Sequence, residues 1–394
     1  MTKYLYGLML GILLSVMITS RSPGQSPPQG LAFAAVPSLS YSSGEGWEYG
    51  GKLFFYQFGK GNIQPYRWHL LINAAQTTEE KRDVYAFLDM PHIWGPATRM
   101  DIKLEYKKFG LEDFYGLGNR PDYRKEVADP EQPDFLSDVY YNYKHRWSAC
   151  YINAQWPLRD RHVKLLAGAA LVRTRLSAYP PPNLLHEQPQ AGMAGGYSNY
   201  VRTGLVIDRR DQEAMPTSGY WSDLLIEKCV KLLGSDYDYT RITLTDRHYF
   251  KLLPRLVYAQ RLLLEHMPGY PPFYEMAVIS SSYQRFEGLG SGRSMRGVPR
   301  LLFVGPSKLL MNLELRWRMM DLRLLKQELT FYGHLFADGG RVWLRNDEKK
   351  LKHLHFAEGI GVHVQWKKEL IGALDIGRSA WNDMAIYLTF GNLF

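Results

Sequence analysis

Long segments of this chain alternate between apolar and polar side chains with a period of two. In the segment 309–319, one face carries Leu309, Met311, Leu313, Leu315, Trp317 and Met319, and the other carries Leu310, Asn312, Glu314, Arg316 and Arg318. Successive side chains of a β-strand point to opposite faces. The segment therefore predicts a strand with one apolar and one polar face. A strand of about eleven residues is long enough to cross a bilayer at a tilt.

Three further segments, 101–107, 328–338 and 359–366, show the same alternation. Their apolar faces carry Ile102, Leu104 and Tyr106, then Leu329, Phe331, Leu335 and Ala337, and finally Ile360, Val362, Val364 and Trp366. Their polar faces carry Asp101, Lys103, Glu105 and Lys107, then Glu328, Thr330, Tyr332, His334 and Asp338, and finally Gly361, His363 and Gln365. A soluble β-sandwich also alternates, but it rarely places Glu and Arg side by side opposite such an apolar face. The pattern favours strands with lipid on one side and water on the other.

The alternation indicates an all-β fold, a transmembrane antiparallel β-barrel of about sixteen strands, which is an even number as in bacterial barrels. We count 137–156 as a single strand because no turn signal interrupts it. If both termini are periplasmic, the long segments 110–136, 180–196, 267–306 and 340–358 all lie outside, and turns such as 252–254 and 366–368 lie inside. The predicted strands begin near Val36, Tyr49, Arg67, Val84, Met100, Ser137, His162, Ser198, Tyr220, Tyr237, Arg255, Ser307, Gln327, Gly359, Glu369 and Asp383.

Composition agrees with a barrel. Aromatic residues make up 14% of the chain while mean hydropathy is −0.31, as expected when lipid-facing and lumen-facing residues alternate. The net charge is +9. Because the basic residues alternate with apolar ones, we expect a basic lumen and an outer surface in contact with outer-membrane lipid and lipopolysaccharide, and no nucleic-acid partner.

The N-terminus has the pattern of an export signal, with Lys3 before an uncharged apolar run at 4–19. We predict a signal peptide over 1–20, with cleavage as late as residue 34 after Ala32–Phe33–Ala34, a Pro/Ser-rich spacer over 21–34, and the barrel over 35–394. No later run approaches about 18 uncharged apolar residues, so no transmembrane helix is expected.

The chain has two cysteines, Cys150 and Cys229, and their spacing is not that of a metal site. A disulfide between them stays open, because spacing alone does not decide it. We expect no metal and no other cofactor.

The segment 285–306 combines glycines and arginines. Four glycines fall within ten residues, at Gly288, Gly290, Gly292 and Gly297, and no acidic residue lies between Glu287 and Glu314. Its arginines therefore need carboxylate partners from elsewhere in the chain. Because there is no Gly-Lys-Ser/Thr and no helical pattern follows, nucleotide binding is disfavoured. Ser291 and Ser294 lie outside any Gly-x-Ser-x-Gly elbow. A plain surface loop is the alternative.

Several motifs share a pattern with one known family. They are Met295-Arg296-Gly297-Val298 in this loop, Phe336-Ala337-Asp338-Gly339-Gly340, Pro216-Thr217-Ser218-Gly219-Tyr220, Gly359 with Gly361 and His363, and the terminal Phe390-Gly391-Asn392-Leu393-Phe394. From Val36 onward the chain resembles the barrel of the BamA/TamA-type bacterial surface antigens. It departs from the family pattern at Val298, where Phe or Tyr is usual, and at His363, where Arg is common.

The resemblance implies that the loop between strands 11 and 12 folds into the lumen and that Phe390 and Phe394 form a C-terminal recognition signal. It also implies a role in assembling or exporting outer-membrane proteins, with client or periplasmic assembly proteins as partners. Family members with these activities carry POTRA domains before the barrel, for which we expect no room here. The alternatives are a passive pore or surface antigen, and an outer-membrane lipid-modifying enzyme using Ser294 and His334. We expect that the protein has no enzymatic activity.

The loop and the strand of Asp338 are expected to meet. The alternation places Asp338 on the polar face of its strand, near the outer end of the lumen. We therefore predict a bidentate contact between Arg296 and Asp338. The alternative is that Asp338 faces water or pairs with Arg316 or Arg318 on the neighbouring strand.

Overall fold

The computed structural model describes residues 29–42, 46–59, 66–95, 97–324, 327–366, 370–390 and 394. The predicted signal peptide and the inner turn predicted near Lys367 to Glu369 lie outside these residues, as does the side chain of Phe390.

The described residues form sixteen long strands, in agreement with the predicted fold class. They are β1 (Leu31–Ser42), β2 (Gly46–Gln57), β3 (Trp68–Thr77), β4 (Arg82–Pro91), β5 (Arg99–Asp113), β6 (Asn142–Pro157), β7 (Val163–Ala178), β8 (Tyr200–Asp208), β9 (Gly219–Cys229), β10 (Tyr239–Leu253), β11 (Leu256–His266), β12 (Ser307–Leu324), β13 (Gln327–Trp343), β14 (His355–Trp366), β15 (Leu370–Ser379) and β16 (Asn382–Phe390). A two-residue strand, Gly196–Tyr197, also pairs with β7.

Each strand pairs antiparallel with its neighbour in sequence, and β1 pairs with β16 to close the barrel. The first hairpin is paired along its whole length, from Leu31 opposite Gln57 to Ser42 opposite Gly46. The closing pair differs. Among the described residues, β1 and β16 pair at Tyr41 with Leu388 and at Ser42 with Tyr387.

The two faces of the wall have opposite chemistry, as the alternation predicted. On β12, Asn312, Glu314 and Arg316 are buried, whereas the intervening Leu313 and Leu315 are exposed. The same contrast holds around the barrel, where the exposed positions include Leu104, Leu171, Leu205, Leu224, Leu244, Leu262, Trp317, Leu335, Ile360 and Leu374. Buried inward positions include Asp101, Glu105, Asp223, Glu227, Arg241, Arg247, Glu265 and Asp338. An apolar outer belt around a charged interior is the pattern of a barrel that lies in lipid.

The long connections follow odd-numbered strands and therefore share one end of the barrel. They span residues 114–141, 179–199, 267–306 and 344–354, and short connections occupy the other end. The long connections contain the helices Leu184–Glu187 and Phe273–Met276 and a 3-10 turn, Lys125–Ala128; a second 3-10 turn, Lys231–Leu233, lies between β9 and β10. In the described part of the chain, no helix has the length and apolar character needed to cross a membrane.

Two details differ from the sequence-based expectations, and the structure also answers the question left open about the cysteines. β1 begins at Leu31, so Ala32–Phe33–Ala34, assigned to the spacer, forms part of a strand. β6 is one strand as predicted but begins at Asn142, because the residues before it form turns. The two cysteines are unpaired, since Cys150 lies on the outward face of β6 while Cys229 is buried against Ser235.

Candidate functional site

The connection 267–306 between β11 and β12, here called the lumen loop, fills much of the barrel interior. Val278–Ile279 pairs with Phe286–Glu287 inside it, and its apolar residues Met295, Leu302 and Phe303 are fully buried. The Phe303 ring stacks on the His355 ring of β14, with 4.2 Å between their centres. A loop with its own buried apolar core is a fixed part of the structure, which rules out the plain surface loop.

The tip of the lumen loop places Arg296 against Asp338 of β13. Arg296 Nε donates to Asp338 Oδ2 at 2.9 Å, and Nη2 donates to Oδ1 at 3.0 Å. The Arg296 backbone N–H also donates to Oδ2, at 3.0 Å. The bidentate contact predicted from the sequence is thus present. Both side chains are buried, and a paired geometry of this kind is what a buried guanidinium requires.

A second carboxylate shares the Arg296 guanidinium. Glu314 on β12 accepts from Arg296 Nη1 at 2.7 Å and from Arg316 Nε at 2.7 Å. Burial alone would lower the pKa of Arg296, but Asp338 and Glu314 raise it above its usual value. Arg316 bonds Glu314, and Arg318 bonds Asp321. Neither arginine takes the place of Arg296 at Asp338, so the alternative pairing is wrong.

The backbone of Gly297 is hydrogen-bonded to residues of β15 and β16. Its N–H donates to the Tyr387 hydroxyl at 3.1 Å, and its carbonyl accepts from Ser379 Oγ at 2.7 Å. Gly297 has φ +95°, and a Cβ built there would lie 2.7 Å from the Arg378 backbone nitrogen. Only glycine combines this backbone conformation with such a close approach to β15.

Two further clusters of charged residues, both away from the loop tip, attach the lumen loop to the barrel wall. Glu275 accepts from Arg241 of β10 at 2.8 Å and from Arg285 at 2.6 Å. Burial would raise the pKa of Glu275, but Arg285 and Arg241 outweigh it and lower the pKa below its usual value. At another part of the wall, Arg300 donates to Glu112 of β5 at 3.0 Å and to Glu287 at 2.9 Å.

Glycines on β13 and β14 make room for these side chains. A Cβ at Gly340 would lie 3.0 Å from Met295 Sδ. A Cβ at Gly359 would overlap the Phe336 ring, and one at Gly361 would overlap both Asp375 and His334. Val298, between the tip and the return of the loop, is buried. The motif residues of the lumen loop, β13 and β14 therefore lie together around the loop tip.

His363 lies in the same cluster. Its Nε2 lies 3.1 Å from Asp375 Oδ1, and the same oxygen lies 3.3 Å from His334 Nε2. The centres of the two imidazole rings are 4.2 Å apart. Asp375 Oδ2 lies 3.5 Å from Arg296 Nη1, so this group adjoins the loop tip.

Phe394, which the resemblance places in a C-terminal signal with Phe390, does not lie on a strand. β16 ends at Phe390, and the Phe394 ring lies inside the barrel, buried beside Tyr249 with 6.4 Å between ring centres. Its carbonyl oxygen accepts from Arg316 Nη2 at 3.1 Å. The C-terminal residue therefore contacts the lumen side of β10 and β12, because Arg316 offers a buried donor there.

The Ser294 and His334 pair suggested for an enzyme is not supported by the described contacts. Ser294 Oγ donates to the Gly288 carbonyl and lies 3.1 Å from Ser291 Oγ, whereas His334 contacts Asp375. Sequence reasoning did not connect Glu314, Asp375, Ser379 or Tyr387 with the loop. For Glu314, the available signal was its place on the polar face of its strand. Asp375, Ser379 and Tyr387 lie far along the chain from the loop, and no feature of the sequence connected them with it.

The comparisons with known proteins give the family and the fold. No match was found among curated proteins. BamA from Haemophilus ducreyi lacking POTRA domains 1-3 has a TM-score of 0.59 at 14% identity, covering 92% of this chain and 70% of that one. CdiB from Escherichia coli has a TM-score of 0.59 at 12% identity, covering 92% of this chain and 63% of that one. CdiB from Acinetobacter baumannii has a TM-score of 0.55 at 12% identity, covering 92% of this chain and 60% of that one. At such identity these similarities show the fold, and this chain spans less than two thirds of either CdiB.

The sequence itself matches the Omp85 superfamily domain over residues 41–376. This range contains the lumen loop, Asp338 and the glycines of β14, and it agrees with the resemblance to BamA/TamA-type barrels. The fold of this family is characteristic of bacterial outer-membrane proteins. The chain therefore belongs to the Omp85 superfamily.

Proposed function

We propose that this protein is an integral outer-membrane barrel that assists the assembly or export of other proteins and has no enzymatic activity. The observation that carries the proposal is the Arg296 tip, held by Asp338 and Glu314 inside a barrel of the Omp85 superfamily. Two structural neighbours, BamA and CdiB, share this fold. The clients are unfolded outer-membrane proteins, and the exposed apolar belt contacts lipid and lipopolysaccharide.

The filled lumen argues against a passive pore. The lumen loop reaches from Glu112 on β5 to Asp338 on β13 through Arg300 and Arg296. It therefore lies across the channel between opposite walls. A cavity of about 110 Å³ lies beside it, lined by residues that include Lys103, Tyr151 and Arg285.

The pairing around the barrel supports a role in which the wall itself takes part. β1 pairs with β2 from end to end, whereas its described pairs with β16 are at Tyr41 and Ser42. A strand edge with unpaired backbone groups is a template for another strand. An incoming client strand would form its first hydrogen bonds along β1.

The experiment is a client-folding assay in lipid vesicles. The purified protein is reconstituted, a urea-unfolded eight-stranded barrel is added, and its folding is followed by heat-modifiable migration. We expect at least tenfold faster folding than in vesicles that contain a sixteen-stranded porin at equal mass. Equal rates in the two samples would reject assembly activity. Channel conductance in planar bilayers as high as that of the porin would instead support the passive pore.

A further inference from the structure

We propose that His334, His363 and Asp375 form a binding site for a divalent transition-metal ion, with Zn²⁺ as the ion that fits best. The three side chains come from adjacent strands, β13, β14 and β15. One ligand atom of each lies within 4.8 Å of the others. The proposal concerns the wall of the barrel and does not depend on the proposed function.

The distances are those of a metal site. Asp375 Oδ1 lies 3.3 Å from His334 Nε2 and 3.1 Å from His363 Nε2. Ligand atoms that bind Zn²⁺ tetrahedrally at about 2.0–2.1 Å are about 3.3 Å apart. Small side-chain rotations therefore bring all three atoms onto one ion, and the fourth position remains for water.

The donor set selects the class of ion. Two imidazole nitrogens and one carboxylate oxygen suit zinc and its neighbours among the first-row transition metals, whereas Mg²⁺ and Ca²⁺ prefer oxygen ligands alone. Neither cysteine offers a competing thiolate at this position, since Cys150 lies on β6 and Cys229 on β9.

The three side chains of the cluster are buried. His334, His363 and Asp375 are 4%, 2% and 6% exposed. Space for them depends on Gly361, because a Cβ there would overlap both Asp375 and His334. The Arg296 guanidinium lies 3.5 Å from Asp375 and from His334, and its charge is already opposed by Asp338 and Glu314.

A route for the ion leads from the end with short turns. A cavity of about 460 Å³ opens there, and its lining includes Tyr332 and Gln365. These residues lie on the same strands as His334 and His363, two positions nearer that end, and they hydrogen-bond to each other at 3.2 Å. These two side chains therefore lie between the cluster and the cavity.

The test measures zinc retained by the full chain folded in detergent micelles. The protein is stripped with chelator, incubated with Zn²⁺, desalted and analysed for metal. We expect about one ion per chain and a higher thermal midpoint with Zn²⁺, because binding to the folded state stabilises it. His363→Arg, which introduces the residue common in the family, and Asp375→Asn should each lower the affinity at least tenfold.

His248→Gln is the matched control. His248 Nε2 lies 2.9 Å from Asp246 Oδ2, which makes it a single His–Asp pair outside the cluster. This variant should keep the ion. Equal zinc binding by the native protein and His363→Arg would overturn the proposal, and so would loss in His248→Gln.

A spectroscopic measurement on the native protein tests the site even if the variants fail to fold. Co²⁺ in a four-coordinate site with two imidazoles gives visible absorption bands, and X-ray absorption of the zinc form gives its imidazole ligands. Two imidazoles per zinc would support the site. Purely oxygen ligation, or no ion retained by correctly folded native protein, would overturn it.

Discussion

The guanidinium of Arg296 lies over the ring of Phe336, with 3.6 Å between its central carbon and the ring centre. Asp338, two residues further along the same face of β13, binds the edge of that guanidinium. The face and the edge of one cation are thus both covered by β13. A flat, delocalised cation fits between a ring and a carboxylate, whereas an ammonium does not.

The first prediction concerns the Arg296 and Asp338 pair. Arg296→Ala and Asp338→Ala should each lower the free energy of unfolding by about 3–5 kcal/mol, because each leaves a buried charge without its partner. The double variant should be little worse than either single variant. Arg296→Lys should also be destabilising, since it loses the bidentate contact. Urea unfolding in lipid, followed by tryptophan fluorescence, measures all four.

Arg159→Ala is the control for that cycle. Arg159 is exposed in the turn between β6 and β7, so its loss should change stability by less than about 0.5 kcal/mol. Additive losses for Arg296→Ala and Asp338→Ala would contradict a direct energetic coupling.

The second prediction concerns Gly297. Gly297→Ala should destabilise docking of the lumen loop by about 1–3 kcal/mol, because it forces a side chain into a positive φ and against the Arg378 backbone. Gly372→Ala is the matched control, as a Cβ there would meet nothing within 4 Å. Protease cleavage within residues 285–300 reports docking. Equal cleavage of the two variants would show that the close approach has no effect.

The third prediction concerns pH. The pKa of Glu275 is lowered in the folded protein, since Arg285 and Arg241 outweigh burial. Its stabilising contribution is therefore fully present above the ordinary glutamate pKa of about 4.3 and is lost as the pH falls through the lower folded value. The stability difference between the native protein and Glu275→Gln should shrink from pH 6 to acid pH.

Denaturant unfolding at a series of pH values measures that difference. Glu348→Gln serves as the control at neutral pH, because Glu348 is exposed and should tolerate the change. A difference between native protein and Glu275→Gln that stays constant down to acid pH would count against the ionic anchor.

The fourth prediction concerns orientation in the membrane. In a Cys150→Ala background, Asp347→Cys should react with a membrane-impermeant maleimide on intact cells, because Asp347 is exposed on a long connection. Arg161→Cys, exposed in the turn between β6 and β7, should react only after the outer membrane is opened. The reverse result would invert the barrel. Asn183, which sequence reasoning also placed outside, is fully buried and is unsuitable for labelling.

The alternation of apolar and polar residues predicted most of the wall, because each strand has one face toward lipid and the other toward the barrel interior. Leu313, Leu315 and Trp317 must be apolar wherever their strand lies, so their spacing carries the information locally. The glycine-rich loop without acidic residues predicted the need for a carboxylate, and strand parity then indicated Asp338. The exact strand ends, such as Leu31 and Asn142, depend on turn geometry, so the alternation of side chains did not predict them accurately.

The remaining contacts of the site depend on the register between strands. Asp375 and His363 meet because β14 and β15 pair with His363 opposite Ala373 and Gly361 opposite Asp375. A single sequence contains no mark of that register. The position of Phe394 was missed for a related reason, since its buried partner Arg316 lies 78 residues earlier in the chain.

The hydrogen bond from Gly297 to Tyr387 links the lumen loop to the last strand of the wall. The polar contacts described above for Arg296 and Gly297 go to β12, β13, β15 and β16. Displacement of β1 would therefore leave all of these bonds intact. Opening the wall between β1 and β16 and releasing the loop tip are consequently separate events with separate barriers. A substitution at Ser379, which lies on β15, would change the second without changing the first.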